Sequence, residues 1–300
     1  MKTNGFTLVE LLVALAITGV VVTAIGTTFI ANLRAYTTQI EAVHTQQTLR
    51  ATLSYLVNTI RMAGYKGTAS DGIIDLLDGD DADRAGIILA LQGQCRLAAD
   101  LDNSGILRDG GGEDIDIRLY DDSDGDGVVN GGVANNLGSA LAIQFNGSSG
   151  YQTIAEGISA ISFSYMLLND NKTPRTYSTN TGAEAVLWVI PAAGSHGNWL
   201  RLDANSDGVI DGADNNNVAG DINCVDTGIP VDYDGNGSID GADYNLIGAV
   251  RMTILGVVKQ QNQKYVNAHT YVVGRHVIIP NDHLRRRCLS TCVTCRNMLL

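Results

Sequence analysis

The sequence predicts an α+β fold, in which one long N-terminal helix packs on an antiparallel β-sheet domain that carries a calcium-loop insertion. Three observations carry this expectation. From Phe6 to Ile30 the chain is apolar with Glu10 as its single charged residue, and about 20 such residues span a bilayer as a helix. No proline occurs before Pro174, so nothing breaks the helix as it leaves the apolar stretch. Past Gly64 the helical spacing gives way to short apolar or alternating runs separated by Gly, Asn and Asp, the punctuation of strands and turns.

The elements follow in order. Lys2, Thr3, Asn4 and Gly5 precede the apolar run. In a secretory signal the cleavage site follows the apolar region, whereas here the natural junction comes before it, so the helix would stay on the mature chain. Residues 1–5 therefore read as a leader and 6–30 as a membrane-spanning segment. Residues 31–63 continue the helix, with Ile40, Val43, Leu49, Leu53, Leu56, Val57 and Ile60 on one face and Gly64 as its stop. At 1.5 Å per residue, Phe6 to Ala63 would form a rod of about 85 Å. Polar residues dominate 31–48, where His44 reads as a solvated position. The globular part covers 64–300, with strands expected at 85–92, 114–120, 140–146, 158–168, 185–190, 249–258 and 268–279.

Charge and composition narrow the function. A formal net charge of -12 over 300 residues lacks the basic stripe needed to displace counterions from phosphates, so no nucleic-acid partner is expected. Cations are the natural partners. There is no P-loop, dinucleotide-binding glycine fingerprint, HExxH or GxSxG elbow, and the histidines are scattered. No enzymatic activity is expected.

Glu10 poses the sharpest question, because a carboxylate deep in a bilayer costs about 2.5 to 3.5 kcal/mol and needs a partner. The segment offers no opposite charge, and the carboxylate otherwise has only the headgroups to snorkel towards. The stretch "KTNGFTLVE" followed by "LLVALAITGVVV" resembles the class III signal of type IV prepilins and pseudopilins: a short basic leader, Gly5, Phe6, and Glu10 four residues beyond the Phe. The resemblance implies that prepilin peptidase cuts after Gly5 and methylates the Phe6 amine, and that Glu10 pairs with that amine on a neighbouring subunit during assembly. It also implies a pilin-like fold, anchored by one pass of the inner membrane with the globular domain outside the cytoplasm, and assembly with other pilins or pseudopilins into a pilus or pseudopilus at the cell surface or in the periplasm. The phrase "LVNTIRMAGYKG" at 56–67 and the ending "HLRRRCLSTCVTCRNM" resemble PilW-like minor pilins and GspJ-like pseudopilins, although the cysteines depart from that pattern.

Within the globular part, "DANSDGVIDGAD" at 203–214 and "DYDGNGSIDGAD" at 232–243 repeat one pattern: oxygen-bearing side chains at loop positions 1, 3, 5, 9 and 12, Gly at 6 and Ile at 8. This is the spacing of an EF-hand calcium loop, with Asp at position 12 as in dockerin-type loops. Calcium takes six to eight hard oxygens, and the glycine permits the sharp turn that lets positions 1, 3 and 5 converge. The expected ligands are Asp203, Asn205, Asp207, the Val209 carbonyl and Asp214, with Asp211 acting through water. In the second loop they are Asp232, Asp234, Asn236, the Ser238 carbonyl and Asp243, with Asp240 in the Asp211 role. The loops fall in a proposed insertion at 195–246. The flanks are poor helices, so the loops lack full EF-hand pairs and a rigidifying role is expected rather than an opening switch. A weaker candidate, "DSDGDGVVN" at 122–130, has Asp122, Asp124 and Asp126 in register but Val133 at position 12, and "DLDNSG" at 100–105 is poorer still. Clustered carboxylates without a cation repel one another, so folding and metal would be coupled.

Cys95, Cys224, Cys288, Cys292 and Cys295 would face an oxidising compartment, where an odd count leaves at least one thiol unpaired or paired between chains. Sequence does not fix the connectivity. A metal centre from Cys288, Cys292, Cys295 and His283 lacks a second ligand pair, and Arg285 to Arg287 reads as a solvated or salt-bridged strand segment. The function expected is a PilW-like minor pilin that helps prime a pilus or sits in its tip complex. Two alternatives stay open: a GspJ-like pseudopilin of type II secretion, and, from another class, a membrane-anchored calcium-dependent adhesion or dockerin-like module.

Overall fold

The computed structural model describes residues 7–65, 86–101, 113–145, 150–192, 197–233, 235, 239, 243–261 and 263–295. The chain divides into two units, Met1–His44 and Thr45–Leu300. One helix, α1 (Leu8–Arg61), runs through both.

In the first unit every large apolar side chain from Leu8 to Ile30 is exposed, and α1 is long and apolar enough to cross a membrane. Its threonines are closed on the helix itself. Thr18 donates to the Ala14 carbonyl at 2.7 Å, Thr23 to Gly19 at 2.8 Å and Thr28 to Ala24 at 2.9 Å. That leaves no hydroxyl for lipid to satisfy.

In the second unit Leu49, Leu53, Leu56 and Ile60 are buried, recurring at the three- and four-residue spacing that makes one helical face. The helix ends where the sequence expects it. The last turn tightens through Met62 and Ala63, which donate to the Thr59 and Ile60 carbonyls at 3.1 Å each. Gly64 then takes a φ of 72°, the left-handed conformation that terminates helices at little cost.

The β domain contains β1 (Ile87–Ala90), β2 (Gln94–Ala98), β3 (Asp114–Leu119), β4 (Ser139–Phe145), β5 (Gln152–Leu167), β6 (Thr176–Ser178), β7 (Glu184–Val186), β8 (Trp188–Pro191), β9 (Asn198–Arg201), β10 (Gly220–Asp221), β11 (Val225–Pro230), β12 (Ile247–Val257), β13 (Tyr271–Val273), β14 (His276–Ile278) and β15 (Arg286–Thr294). The main sheet runs β1-β2-β3-β4-β5-β8-β9-β11, with β12 on the other edge of β5 and β15 beyond β12. Its pairings are antiparallel. Two small sheets, β10-β14-β13 and β6-β7, complete the domain.

β5 is the organising strand. One edge pairs with β12 from Leu167 opposite Ile247 to Ile158 opposite Gly256. The other edge is served by four segments in turn. β4 covers Gln152 to Ile158. Residues 127–129 follow, with Val128 bridging Ala160, Ile161 N–H donating to the Gly127 carbonyl at 2.8 Å and Val129 N–H to Ser159 at 3.2 Å. Phe163 N–H then donates to the Gln92 carbonyl at 2.8 Å, and β8 takes Tyr165 and Met166. On one side of the sheet the helix face joins a core that includes Ile117, Leu141, Phe163, Tyr165, Trp199 and Ile254. There Trp199 meets Tyr165 and Tyr244 edge-on, with ring centroids 5.9 and 6.3 Å apart. A smaller cluster of Val133, Ala160, Leu255, Val273 and Ile278 forms separately.

The structure differs from the sequence reading in several places. The run at 268–279 is a hairpin of β13 and β14 that turns at Gly274, whose φ is 59°. The run at 185–190 is two strands, β7 and β8, because Leu187 turns away to donate its N–H to the Arg175 carbonyl at 2.9 Å. The stretch 195–246 is not set apart from the sheet: β9 and β11 extend it beyond β8, and Trp199 and Leu202 are buried. Loops lie between these strands, but the strands themselves belong to the sheet.

The contact of residues 127–129 with β5 yields a test. A Cβ on Gly127, at a φ of 87°, would lie 2.1 Å from the Ile161 carbonyl oxygen, whereas one on Gly125, at a φ of 73°, meets nothing within 4 Å. Gly125→Ala should therefore cost about 1 to 2 kcal/mol, the price of a left-handed alanine. Gly127→Ala should cost clearly more, because the loop must lift off β5. Denaturant melts of the two variants check the order.

Candidate functional site

Two regions hold the predicted residues. The first is the start of α1. Thr7 immediately precedes the helix and Glu10 is its third residue, so T-x-x-E forms a capping box. Thr7 N–H and its hydroxyl donate to Glu10 Oε2 at 2.9 and 3.0 Å, and Glu10 N–H donates to the Thr7 hydroxyl at 3.3 Å. The sequence reading looked for a counter-charge and missed this neutral partner three residues away, although the T-x-x-E spacing carried the signal. Gly5 and Phe6 lie outside the described residues.

The second region comprises three acidic loops with a common wiring. In the 203–214 loop, Asp203 at position 1 accepts from Asp207 N–H at 3.3 Å and Gly208 N–H at 2.7 Å. In the 122–133 loop, Asp122 accepts from Gly125 N–H at 2.8 Å and Gly127 N–H at 2.9 Å. In the 232–243 loop, Asp232 accepts from Gly235 N–H at 2.8 Å. The position-5 acids, Asp126 and Asp207, accept from the position-7 N–H groups of Val128 and Val209 at 2.7 and 2.8 Å. The position-12 acids, Asp214 and Asp243, accept from the position-2 N–H groups of Ala204 and Tyr233 at 2.7 Å each. Gly127 and Gly208, both at position 6, have φ of 87° and 92°. Asp234, Asn236, Ser238 and Asp240 lie outside the described residues, as does most of the 100–105 stretch.

Convergence separates the loops. One ligand oxygen from each of Asp122, Asp124 and Asp126 lies within 4.8 Å of the others, and no other trio of acids, histidines or cysteines is drawn so close among the described residues. The sequence reading ranked this loop below the two twelve-residue repeats because Val133 replaces the position-12 acid. In the 203–214 loop the side chains engage other partners. Tyr177 donates its hydroxyl to Asp203, Asn205 donates to Asp207 at 3.1 Å, and Asp211 caps the short helical turn Gly212–Asn215 by accepting Ala213 N–H at 2.7 Å. Val209 is exposed, and Asp203, Asp214 and Asp243 are buried.

Burial makes the surroundings of Asp122 and Asp214 unfavourable to charge. Burial pushes the Asp122 carboxyl up to about 6, and the nearby Asp124 and Asp126 add to the rise while the Gly127 and Gly125 N–H groups oppose it. Burial also raises Asp214, and raises Tyr177 together with the neighbouring Asp203 carboxylate. His276 ties β10 to the 122–133 loop: its Nδ1 lies 2.6 Å from Asp221 Oδ1, and its Nε2 lies 3.0 Å from the Asp126 carbonyl. A cavity of about 410 Å³ has Asp124, Asp126, Ile239 and Arg275 in its walls, so the 122–133 and 232–243 loops look onto one space. A triad of carboxylate oxygens at this spacing is chemically a hard-cation acceptor.

Residues 1–26 match the family described as the prokaryotic N-terminal methylation motif. No curated protein matches the chain. Among solved structures the chain is similar to the type IV-like pilin TTHA1219 from Thermus thermophilus, with 9% identity, a TM-score of 0.37, and coverage of 84% of this chain and 97% of that one. That superposition is loose, and the α+β assignment rests on the helix and antiparallel sheet themselves.

The raised Asp122 carboxyl has a pH signature. Its folded pKa, about 6, exceeds the unfolded carboxylate value near 4. The folded state therefore holds the proton more tightly, and stability falls as pH rises through about 4 to 6. In chelator, Asp122→Asn should lack this component, so its melting temperature relative to wild type should rise over that window. A constant difference between the two would remove the assignment.

Proposed function

We propose that the chain is a minor type IV pilin, cut after Gly5 by prepilin peptidase, methylated on the Phe6 amine and anchored through residues 6–30 in the inner membrane before it joins a filament of other pilins. The observation that carries this reading is the match of residues 1–26 to the N-terminal methylation motif. The exposed apolar helix that follows supports it. A solvent-facing apolar stripe of this length is unstable in water and stable in lipid or against the same stripe on neighbouring subunits.

In this reading Glu10 acts twice. It caps α1 through Thr7, and it offers a carboxylate to the cationic amine of an adjacent subunit, where a low dielectric strengthens the pair. The filament primes on this subunit, and its globular domain presents the partner surface of a pilus tip.

Calcium is the third part of the proposal. The loops at 122–133, 203–214 and 232–243 each hold the ion with oxygen ligands, and their role is rigidity. The supporting feature is the shared wiring of position 1 to the following backbone N–H groups, which orders each loop around a carboxylate. With the ion bound, the carboxylates' mutual repulsion is neutralised and the segment that completes the β5 edge is fixed.

Mass analysis of the purified mature chain should find methylated Phe6 at its N-terminus; an intact Met1 overturns the reading. Glu10→Gln separates the two roles of that residue, because glutamine still completes a capping box but carries no charge. It should leave the helix intact and abolish incorporation into fibres, whereas full incorporation would show that charge is not what aligns the subunit. A deletion strain should lose piliation and retain type II secretion. Calcium at 100 times its dissociation constant should stabilise the domain by about 2.7 kcal/mol for each occupied loop, and Asp124→Asn with Asp207→Asn should reduce that response. A melting temperature indifferent to calcium and to chelator rejects the loop assignment.

A further inference from the structure

Arg96, Arg275 and Arg286 each meet a carboxylate, of Asp114, Asp221 and Asp282 respectively. Arg175 and Arg201 do not: neither has a carboxylate within 4.0 Å among the described residues, although the chain carries 32 acids against 20 lysines and arginines. Both line one open cleft of about 550 Å³, a volume within the roughly 300 to 1,000 Å³ of small-ligand sites. The sheet fixes their positions. Arg175 is held between the end of β5 and the junction of β7 with β8: its N–H donates to the Leu167 carbonyl at 2.8 Å, and its own carbonyl accepts the Leu187 N–H at 2.9 Å. Arg201 ends β9, opposite Val189 of β8 and Val225 of β11. β11 is the last strand of the main sheet on this side, so the cleft lies at the sheet margin.

Several donors of the two guanidiniums are uncommitted. Arg175 donates from Nε to the Leu168 carbonyl at 2.9 Å, and its two Nη groups have no hydrogen-bond partner among the described residues. Arg201 donates from Nη2 to the Ser206 hydroxyl at 2.7 Å and lies on the Tyr177 ring, 4.3 Å from the centroid. Its Nε is buried with no partner among the described residues, and a buried donor left unpaired is costly. Tyr177 in turn donates to Asp203, so the 203–214 loop braces this side of the cleft. Asp226 is the one acid in the wall among the described residues, and its oxygens accept from the Asn198 amide at 2.9 and 3.1 Å and from the Gly228 N–H at 2.7 Å. Two cations and one anion leave a single net positive charge, which suits a carboxylate better than a phosphate dianion. Much of the remaining wall is aliphatic or already engaged. Leu187, Val225 and Ile229 offer carbon, while Asn169 donates to the Pro174 carbonyl at 3.4 Å and Thr227 to the Trp199 carbonyl at 2.7 Å.

We propose that this cleft binds a glutamate side chain presented by an acidic peptide segment of a protein partner. The Arg175 and Arg201 guanidiniums take the carboxylate through charge-assisted hydrogen bonds, for which their planar forks are suited, and the glutamate methylenes lie against Leu187 and Ile229. An acidic sugar fits less well, because its ring hydroxyls would be desolvated against a wall whose Asn169 and Thr227 are already hydrogen-bonded. The margin of the sheet gives an extended segment the access it needs.

The full chain, purified in non-ionic detergent, is titrated with a fluorescein-labelled hexapeptide carrying central glutamates, and binding is followed by anisotropy. Binding should saturate, and the same peptide with glutamines should bind about tenfold more weakly or worse, because the charge-assisted bonds are lost. This comparison is made on wild-type chain and does not depend on any variant folding. Arg175→Lys keeps the charge but loses the fork, and should weaken the glutamate peptide by about tenfold. Asp226→Asn removes the opposing acid and should tighten it. Arg118→Lys, at an arginine stacked on Tyr151 outside the cleft wall, should change nothing. Absence of saturable binding, equal affinity for the glutamate and glutamine peptides, or equal losses in Arg175→Lys and Arg118→Lys overturns the proposal. Tighter binding of a glucuronate oligosaccharide than of the peptide overturns it in favour of a sugar ligand. None of these outcomes bears on the pilin reading, which the N-terminal mass tests.

Discussion

The domain depends on how the long free edge of β5 is closed. Sixteen residues of strand present more backbone donors and acceptors than any single neighbour covers, and buried main-chain groups left unpaired are costly. Because β4 departs at Ile158 and β8 arrives at Tyr165, the gap falls in the middle of the core strand. It is filled by the 127–129 segment and by Gln92. The acidic loop at 122–133 is thus an integral part of the sheet, and whatever orders that loop orders the centre of the domain.

Charge is handled locally in the same region. The loop acids are satisfied by backbone N–H groups of their own turns, which fixes the turns but leaves several carboxylates close together. At position 12 of this loop, where the other two loops carry Asp214 and Asp243, Val133 lends its carbonyl to Arg286 at 2.6 Å. Arg286 also forms a fully buried ion pair with Asp282 at 2.7 Å, and Asp282 accepts the Asn135 N–H at 2.7 Å. A buried guanidinium is tolerated only with such a set of acceptors. The exit of the acidic loop is therefore held by the start of the last strand.

Much of this was legible in the sequence, and what was not has identifiable causes. The helix could be read almost to its ends, because hydrophobic spacing and Gly64 act locally. Strands with continuous apolar or alternating patterns, such as β3, β4, β5 and β12, were found. β2, with Gln94 and Arg96 among its five residues, and β11, which contains Gly228 and Pro230, carry weak local signals and exist because neighbours in the sheet require them. The twelve-residue repeat is plain in the sequence, but most of its second copy lies outside the described residues. The 122–133 loop was placed below the two repeats for want of a position-12 acid, whereas the closeness of Asp122, Asp124 and Asp126 comes from Gly125, Gly127 and the packing on β5. The link between Glu10 and Thr7 was written in the spacing, but the search for an opposite charge drew attention past it.

The position of β15 has a consequence for biogenesis. Its nine residues are paired with β12, and Arg286 reaches back across 153 positions of sequence to Val133. Contacts this distant form slowly, because a large loop must close before they return any free energy. The main core therefore closes late in folding: β12 and the exit of the acidic loop gain their partners only when β15 arrives.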